Sequence, residues 1–454
     1  MARKIGLIEA ISIGVGGMVG GGIFAVLGLS IDLAKGGAPL AFAFAGLIAL
    51  VTTYSYVKLS LRYPSEGGTT EFIVRAFGNG AFSTFVNSLL VMSYIIMLAL
   101  YAFAFGSYGA ALYGYENDPW VPKILSASVI AVFVFINLLG AFLTGKAEDI
   151  LVFTKVAILL LFIALGLSTT QWTQMTPDKW APLLNILTGG LIIFLGYEGF
   201  ELIANAARDV KAPQKNLPRA YYSAVIFVIV LYVTIAIVTV GNVSFEQAKQ
   251  AQDYVLAIAA EPFLGHTGFV LIGIAALIST ASAINATLYG GGRMALLVAR
   301  LGEIPEIFEQ KVKNGFMSMI ILGVISALFA TSFNVANISI AGSMGFLIIF
   351  TLVNLANYRL AEETHSRRWI AGLGFVTTLS ATIILVGYNA IHHPHELISS
   401  SLVIAMTAGY TLYHFLFRDK RYHLKPFLDH RLKREEILRL QQTLTKKAET
   451  NEPQ

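Results

Sequence analysis

Long apolar runs separated by short polar punctuation make up most of the chain. Twelve runs reach or approach the roughly 20 residues a helix needs to cross about 30 Å of hydrocarbon. They cover 7–33, 38–62, 81–113, 123–143, 148–168, 182–206, 219–241, 265–299, 316–333, 336–357, 369–389 and 397–417. Several are longer than that, which predicts tilt or extension past the bilayer. The pattern predicts an all-α polytopic membrane protein with 12 transmembrane helices. Beyond Phe417 the chain turns polar, and residues 418–454 form a basic tail in which Ile437, Leu438, Leu440 and Leu444 recur at helical spacing. A solvated cytoplasmic tail and a weak attachment to anionic lipid both fit that pattern.

Two runs carry interruptions. Six of the nine residues from Gly14 to Gly22 are glycine, each about 1 kcal/mol worse than alanine inside a helix. In the sixth run, "LIIFLGYEGFELIANAARD", Gly196 and Gly199 bracket Glu198, with Glu201 beyond. Gly16/Gly20 and Gly17/Gly21 alone read equally as small-xxx-small pairs for close helix packing. Backbone inside a membrane must satisfy its own polar groups, so a real break survives only beside a cavity or in the protein interior. If runs one to five form one repeat and six to ten another, both breaks fall in the first helix of a repeat. Interrupted helices at matching positions point to a secondary transporter's substrate site.

Composition agrees with the pattern. Hydrophobic residues are 56% and charged residues 13% of the 454, against about 25% charged in soluble domains. The absence of cysteine excludes disulfides and thiolate metal sites. The opening "MARKIGLIEAISIGVGG" has the basic end and apolar run of a signal peptide. It lacks a small-residue cleavage site and runs on past signal length, which predicts a retained first helix. The net charge of +5 does not mark a nucleic-acid binder; its distribution is more informative. Of 32 Lys and Arg residues, Lys35, Lys123, Lys179 and Lys249 fall in loops opposite the N-terminus and Lys155 within a run, leaving 27 on the N-terminal side. The positive-inside rule then predicts both termini in the cytoplasm.

Lys155 is the most informative single residue. It lies seven positions past Glu148, about 10 Å into the membrane at 1.5 Å per residue. A lysine at the membrane centre costs about 2.5–3.5 kcal/mol on insertion scales, so such residues mostly face an interior site. One reading is an amine that exchanges its proton during transport; the other is an amine snorkelling to the nearby interface. Glu198 and Glu201 share a face if the helix is regular. Glu201 reads either as an anchor for a helix end or as part of the site, whereas Glu198 sits in the break, where its backbone matters more than its side chain. In the eighth run Ser279, Thr280, Ser282, Asn285 and Thr287 form a polar stripe that serves either packing or a site. The first cytoplasmic loop, "RYPSEGGTTEFIVRAFG", holds turn signals and nothing that looks catalytic.

In this order, "GGMVGGGIF", "YPSEGG", "FLGYEGFE", "RDVKAPQKNLPRA" and "STASAINATLYGGGRMALLVARLGEIP" cover residues from about 5 to about 310. Together they resemble the amino acid–polyamine–organocation (APC) superfamily of permeases. The resemblance implies a LeuT-like five-plus-five inverted repeat with two extra C-terminal helices: 5–170 as the first repeat, 180–360 as the second, 365–417 as the last two helices and 418–454 as the tail. It implies that the substrate's α-carboxylate meets the free N–H groups of Gly20, Gly21 and Gly22, where the first helix restarts. It implies that backbone carbonyls of Leu195, Gly196 and Glu198 hold the α-ammonium. In the cationic-amino-acid-transporter-like subgroup a lysine in the fifth span replaces a sodium ion between helices one and eight. Lys155 matches that lysine, and Ser279 and Thr280 match its helix-eight contacts. Two positions depart from the pattern: Gly21 stands where Ser or Thr is common, and Thr70 where Tyr is usual.

These readings converge on a secondary transporter of the cytoplasmic membrane, importing amino acids by proton symport with Lys155 as the titrating group. The partners expected are an amino-acid substrate, protons and the bilayer, with no nucleic acid, no metal and no cofactor. Sodium coupling and a polyamine or other organocation substrate remain open, as does a non-transporting sensor. A membrane-embedded enzyme would need a paired catalytic constellation, and of eight histidines only His266 and His414 fall within the runs, each near an end.

Overall fold

The computed structural model describes residues 5–140 and 145–417. The expected polar tail and its helical spacing lie outside the described residues, as does the end of the fourth apolar run, 141–143. Each of the twelve runs contains helix where described. The first is split into α1 (Leu7–Met18) and α2 (Gly22–Ala34), which bend by 46° across the gap. Next come α3 (Ala38–Arg62), the short α4 (Thr69–Phe77), α5 (Ala81–Leu112), α6 (Val121–Leu138) and α7 (Gly145–Gly166). The sixth run is α8 (Leu183–Ile192), a nine-residue 3₁₀ segment (Ile193–Glu201) and α9 (Leu202–Ala206). Then follow α10 (Pro213–Asn242), the short α11 (Phe245–Gln250) and α12 (Val255–Ile258), α13 (Glu261–Arg300), α14 (Met317–Ser332), α15 (Val335–Arg359), α16 (Arg368–His392) and α17 (Pro394–Phe417). A two-residue ladder, β1 (Lys311–Val312) with β2 (Gly315–Phe316), folds the loop before α14.

Among the described residues eight spans are long and apolar enough to cross a membrane, and the bent α1–α2 pair makes a ninth. Ile150–Gly166 of α7 and Met317–Ser332 of α14 are shorter apolar helices. Within α13 the backbone turns at Gly265 (φ 60°), a left-handed conformation that glycine accepts without strain. The continuous helix therefore starts where the eighth apolar run starts.

Burial separates a central set of helices from a peripheral one. In the most apolar stretch of α5 and of α15, 83% of residues are buried, and 89% in the α8–α9 span. The figure falls to 22% in α6 and 28% in α16, whose exposed Val132, Phe135, Val376 and Ile383 suit a lipid surface. Small polar side chains stitch the interior. Asn354 of α15 donates to Thr52 (3.2 Å) and Asn357 to Ser55 (3.3 Å) on α3, the kind of interhelical bond that replaces a hydrophobic driving force in lipid. Tyr56 of α3 lies edge-on to Phe72, Phe200 and Phe350, joining four elements at one ring.

Past the end of α13, Glu303 is fully buried and accepts from Asn87 Nδ2 (2.8 Å) and Thr84 Oγ1 (3.5 Å) on α5. Burial pushes its carboxyl up from the usual 4.5 to about 7, more than these two hydrogen bonds pull it down. An acid with a raised folded-state pKa binds more protons folded than unfolded. Its contribution to stability therefore falls as pH rises from 4.5 to about 7 and levels off above. Thermal unfolding of the detergent-solubilised protein should show wild type losing ground to Glu303→Gln across that window, with parallel curves at higher pH. A difference that does not change with pH would show that Glu303 does not titrate there.

Candidate functional site at the paired helix breaks

A helix that stops inside a membrane leaves its last carbonyls without intrahelical partners, and in hydrocarbon each unsatisfied group costs several kcal/mol. The carboxyl end of α1 meets that demand with side chains from four other helices. Lys155 Nζ of α7 donates to the Gly16 carbonyl (3.2 Å) and Tyr101 of α5 to Gly17 (3.4 Å). Tyr232 of α10 donates to Met18 (2.6 Å), and Ser279 of α13 to Val19 (2.9 Å) and to Gly20. A cation among the caps also suits the negative end of the helix dipole. Lys155 is only 2% exposed, so it does not snorkel to the interface. Thr280, by contrast, turns its hydroxyl back to the Ala276 carbonyl of its own helix (2.7 Å). Of the expected helix-eight pair, only Ser279 hydrogen-bonds the first helix; Thr280 meets Gly21 with its methyl group.

The restart of that helix is bare. Gly21 occupies the N-cap of α2 and brings no capping side chain, and Gly20, Gly21 and Gly22 are all buried. The glycines also let backbones touch. A Cβ on Gly22 would meet Gly196 Cα at 2.7 Å, and one on Gly17 would meet the Gly199 carbonyl oxygen at 2.8 Å. On Gly21 it would run into the Tyr101 ring. A break and a close-packing face, which the sequence presents as alternatives, occur together: the bend falls within the glycine run, and the contact between the two interrupted helices needs the glycines.

The sixth helix is interrupted differently. Ile193–Glu201 stays wound as a 3₁₀ helix, the tighter form in which each carbonyl bonds three residues on. Leu195 donates its N–H to Ser343 of α15 (3.0 Å), and the Ile192 carbonyl accepts from both Ser339 (2.6 Å) and Ser343 (2.8 Å). The Gly196 carbonyl faces the Tyr232 hydroxyl (3.4 Å). Glu201, 1% exposed, accepts from Thr69 of α4 (2.7 Å) and Tyr94 of α5 (2.5 Å), and the Tyr56 hydroxyl lies 2.9 Å from Thr69. Of its two readings, these bonds give Glu201 the anchoring one. Glu198 is the exception: it is 3% exposed and its Oε2 has no hydrogen-bond partner.

A cavity of about 50 Å³ lies between the end of α1 and the 3₁₀ segment, lined among others by Gly16, Gly17, Tyr101, Lys155, Glu198 and Ser282; Gly20, Gly21, Gly22, Leu195 and Gly196 do not line it. That volume fits about three or four waters. Sequence reasoning missed Tyr101, Tyr232, Ser339 and Ser343. The two serines stand four apart in "ISIAGS", a helical spacing that marks one face; the tyrosines carry no comparable signal among the many aromatics. Among the described residues no group of three His, Asp or Glu side chains is placed to hold a metal ion.

The family model for amino acid permeases matches residues 5–411. The chain belongs to the amino acid permease family. The permease is 35% identical over 419 residues to an uncharacterized protein of Methanocaldococcus jannaschii, spanning 92% of this chain and 95% of that one. It is 33% identical over 391 residues to the inner membrane transport protein YbaT of Escherichia coli, with 85% and 90% coverage. Its fold resembles that of a mutant manganese transporter from Eremococcus coleocola, at TM-score 0.57 and 13% identity, covering 90% of this chain and 94% of that one. The expectation of a LeuT-like helical transporter is met, and the enzyme alternative falls away because the family and its named relatives are transporters.

The contact between the breaks has little room for added volume. Gly199→Ala would press a methyl into the backbone of Gly17 and Met18. Overpacking of this kind costs about 1–3 kcal/mol. The expected result is a lower unfolding temperature in detergent, whereas Gly290→Ala on α13, with nothing within 4 Å of the new methyl, should leave it unchanged or raise it.

Proposed function

We propose that the permease imports amino acids across the cytoplasmic membrane in symport with protons, with Lys155 as the group that gains and loses the proton. The observation that carries this reading is the placement of Lys155, buried at the cavity between α1 and the 3₁₀ segment with its amine on the last turn of α1. There its charge bears on the helix end that neighbours the substrate site. A change in its protonation would alter how firmly α1 is held, which couples a proton to the rocking of the bundle. The substrate's α-carboxylate would lie on the bare N–H groups at Gly20, Gly21 and Gly22, where unpaired donors and the positive dipole end favour an anion. The excess of basic residues on one side supports cytoplasmic termini. The two interrupted helices, each first in a set of five, support a five-plus-five repeat.

A fixed ammonium at this position disfavours a sodium ion beside it, since like charges destabilise each other. Uptake into proteoliposomes under an imposed pH gradient should therefore be accelerated in wild type and lose that acceleration in Lys155→Ala. Replacing external sodium with choline should leave wild-type uptake intact. Equal acceleration of both proteins by the gradient would remove Lys155 from the coupling step, and loss of uptake in choline would turn the assignment to sodium.

A further inference from the structure

A second cavity, of about 230 Å³, lies toward the face of the bundle opposite the N-terminus and shares no lining residue with the one at Lys155. Phe103 and Ser107, one turn apart on α5, form one wall. Asp253 and Tyr254 come from the turn between α11 and α12, Glu116 from the loop before α6, and Phe333 from the end of α14. Two carboxylates, a hydroxyl and three aromatic rings thus border one space.

Its polar groups are not spent on one another. Ser107 is 6% exposed, and among the described residues its hydroxyl has no hydrogen-bond partner. Asp253 makes no ion pair among the described residues, and burial pushes its carboxyl up from 3.8 to about 6. Near neutral pH it is therefore charged with no cation against it. Asp118, also on the cavity, gives one oxygen to the N–H groups of Trp120 (2.8 Å) and Val121 (2.9 Å). Lys123 is the one basic residue in the lining, and its ammonium lies over the Trp120 ring, 5.9 Å from the centroid. Three carboxylates against one ammonium favour a cation. A metal ion would want oxygens on all sides, whereas aromatic faces suit the body of an organic cation. A free hydroxyl acceptor calls for an N–H donor. The volume, below the roughly 300–1,000 Å³ of drug-sized pockets, calls for a small occupant.

We infer that this cavity binds a small primary alkylammonium ion, with its N–H groups on Asp253 and Ser107 and its alkyl chain against Phe103, Tyr254 and Phe333. The site is separate from the amino-acid site proposed above and stands without it. Its occupant would tie α5 to the α11–α12 turn, which also packs on α2: a Cβ on Gly28 would run into the carbonyl of Gln252, next to Asp253.

The test is calorimetric titration of the detergent-solubilised full-length protein with butylammonium, and with butanol and calcium as controls. Wild type should bind butylammonium saturably and butanol not at all. Asp253→Asn should weaken binding by about tenfold or more, and Ser107→Ala should weaken it less. Asp253→Glu, which keeps the charge, should restore part of the affinity. Glu246→Gln, which removes an exposed acid of α11 outside the cavity, should bind as wild type does. Neutralising an unpaired carboxylate relieves a cost, so Asp253→Asn should unfold no earlier than wild type, which separates lost binding from lost folding. Butylammonium binding that survives in Asp253→Asn, or that matches butanol, would overturn the inference. So would calcium binding that Asp253→Asn abolishes while butylammonium does not bind.

Discussion

Everything at the centre of this molecule follows from one constraint: a helix cannot end in hydrocarbon with its carbonyls exposed. The first helix does end there, after Met18, and four helices lend side chains to make that tolerable. Their placement fixes how α5, α7, α10 and α13 gather around α1. The site is thus a by-product of a local debt in hydrogen bonds. The groups that resolve it serve the carbonyls on one side of the gap, while the N-cap of α2 on the other side has no side-chain partner; the proposed anion site is that second side.

The sixth helix shows a second way of accommodating an interruption. It tightens into 3₁₀ geometry instead of unwinding, and serines of α15 hold its entrance. Its exit is held by Glu201, which gathers hydroxyls from α4 and α5. Two carboxylates three residues apart therefore have unlike surroundings. One is saturated by hydroxyl donors and serves the architecture; the other keeps an open oxygen on the cavity.

The arrangement of helices was legible in the sequence because membrane burial leaves a coarse mark: long apolar runs, polar connectors and one-sided basic loops. The interruptions were legible too, since glycine clusters and paired carboxylates are rare inside such runs. Partner choice was not. Nothing in "STASAINATLYGG" separates Ser279, which reaches across to α1, from Thr280, which bonds back to its own helix. Neighbouring positions on a helix point about 100° apart, and the register against the next helix decides which one faces it. Tyr101 and Tyr232 were hidden for the same reason, as two tyrosines among 19. The side chain of Glu198 was set aside because a break draws attention to its backbone.

The Tyr232 hydroxyl touches both interruptions, bonding Met18 at 2.6 Å and facing Gly196 at 3.4 Å. A single oxygen on α10 thus acts as a rivet through the two discontinuous helices. With glycine backbones in contact on either side of it, α1, α2 and the 3₁₀ segment have little freedom to slide past one another. The other hydrogen-bonded contacts with α1 are the seams where Tyr101, Lys155 and Ser279 reach it from α5, α7 and α13. Those bonds are carried on side chains from three different helices, none of which joins both interrupted helices as Tyr232 does.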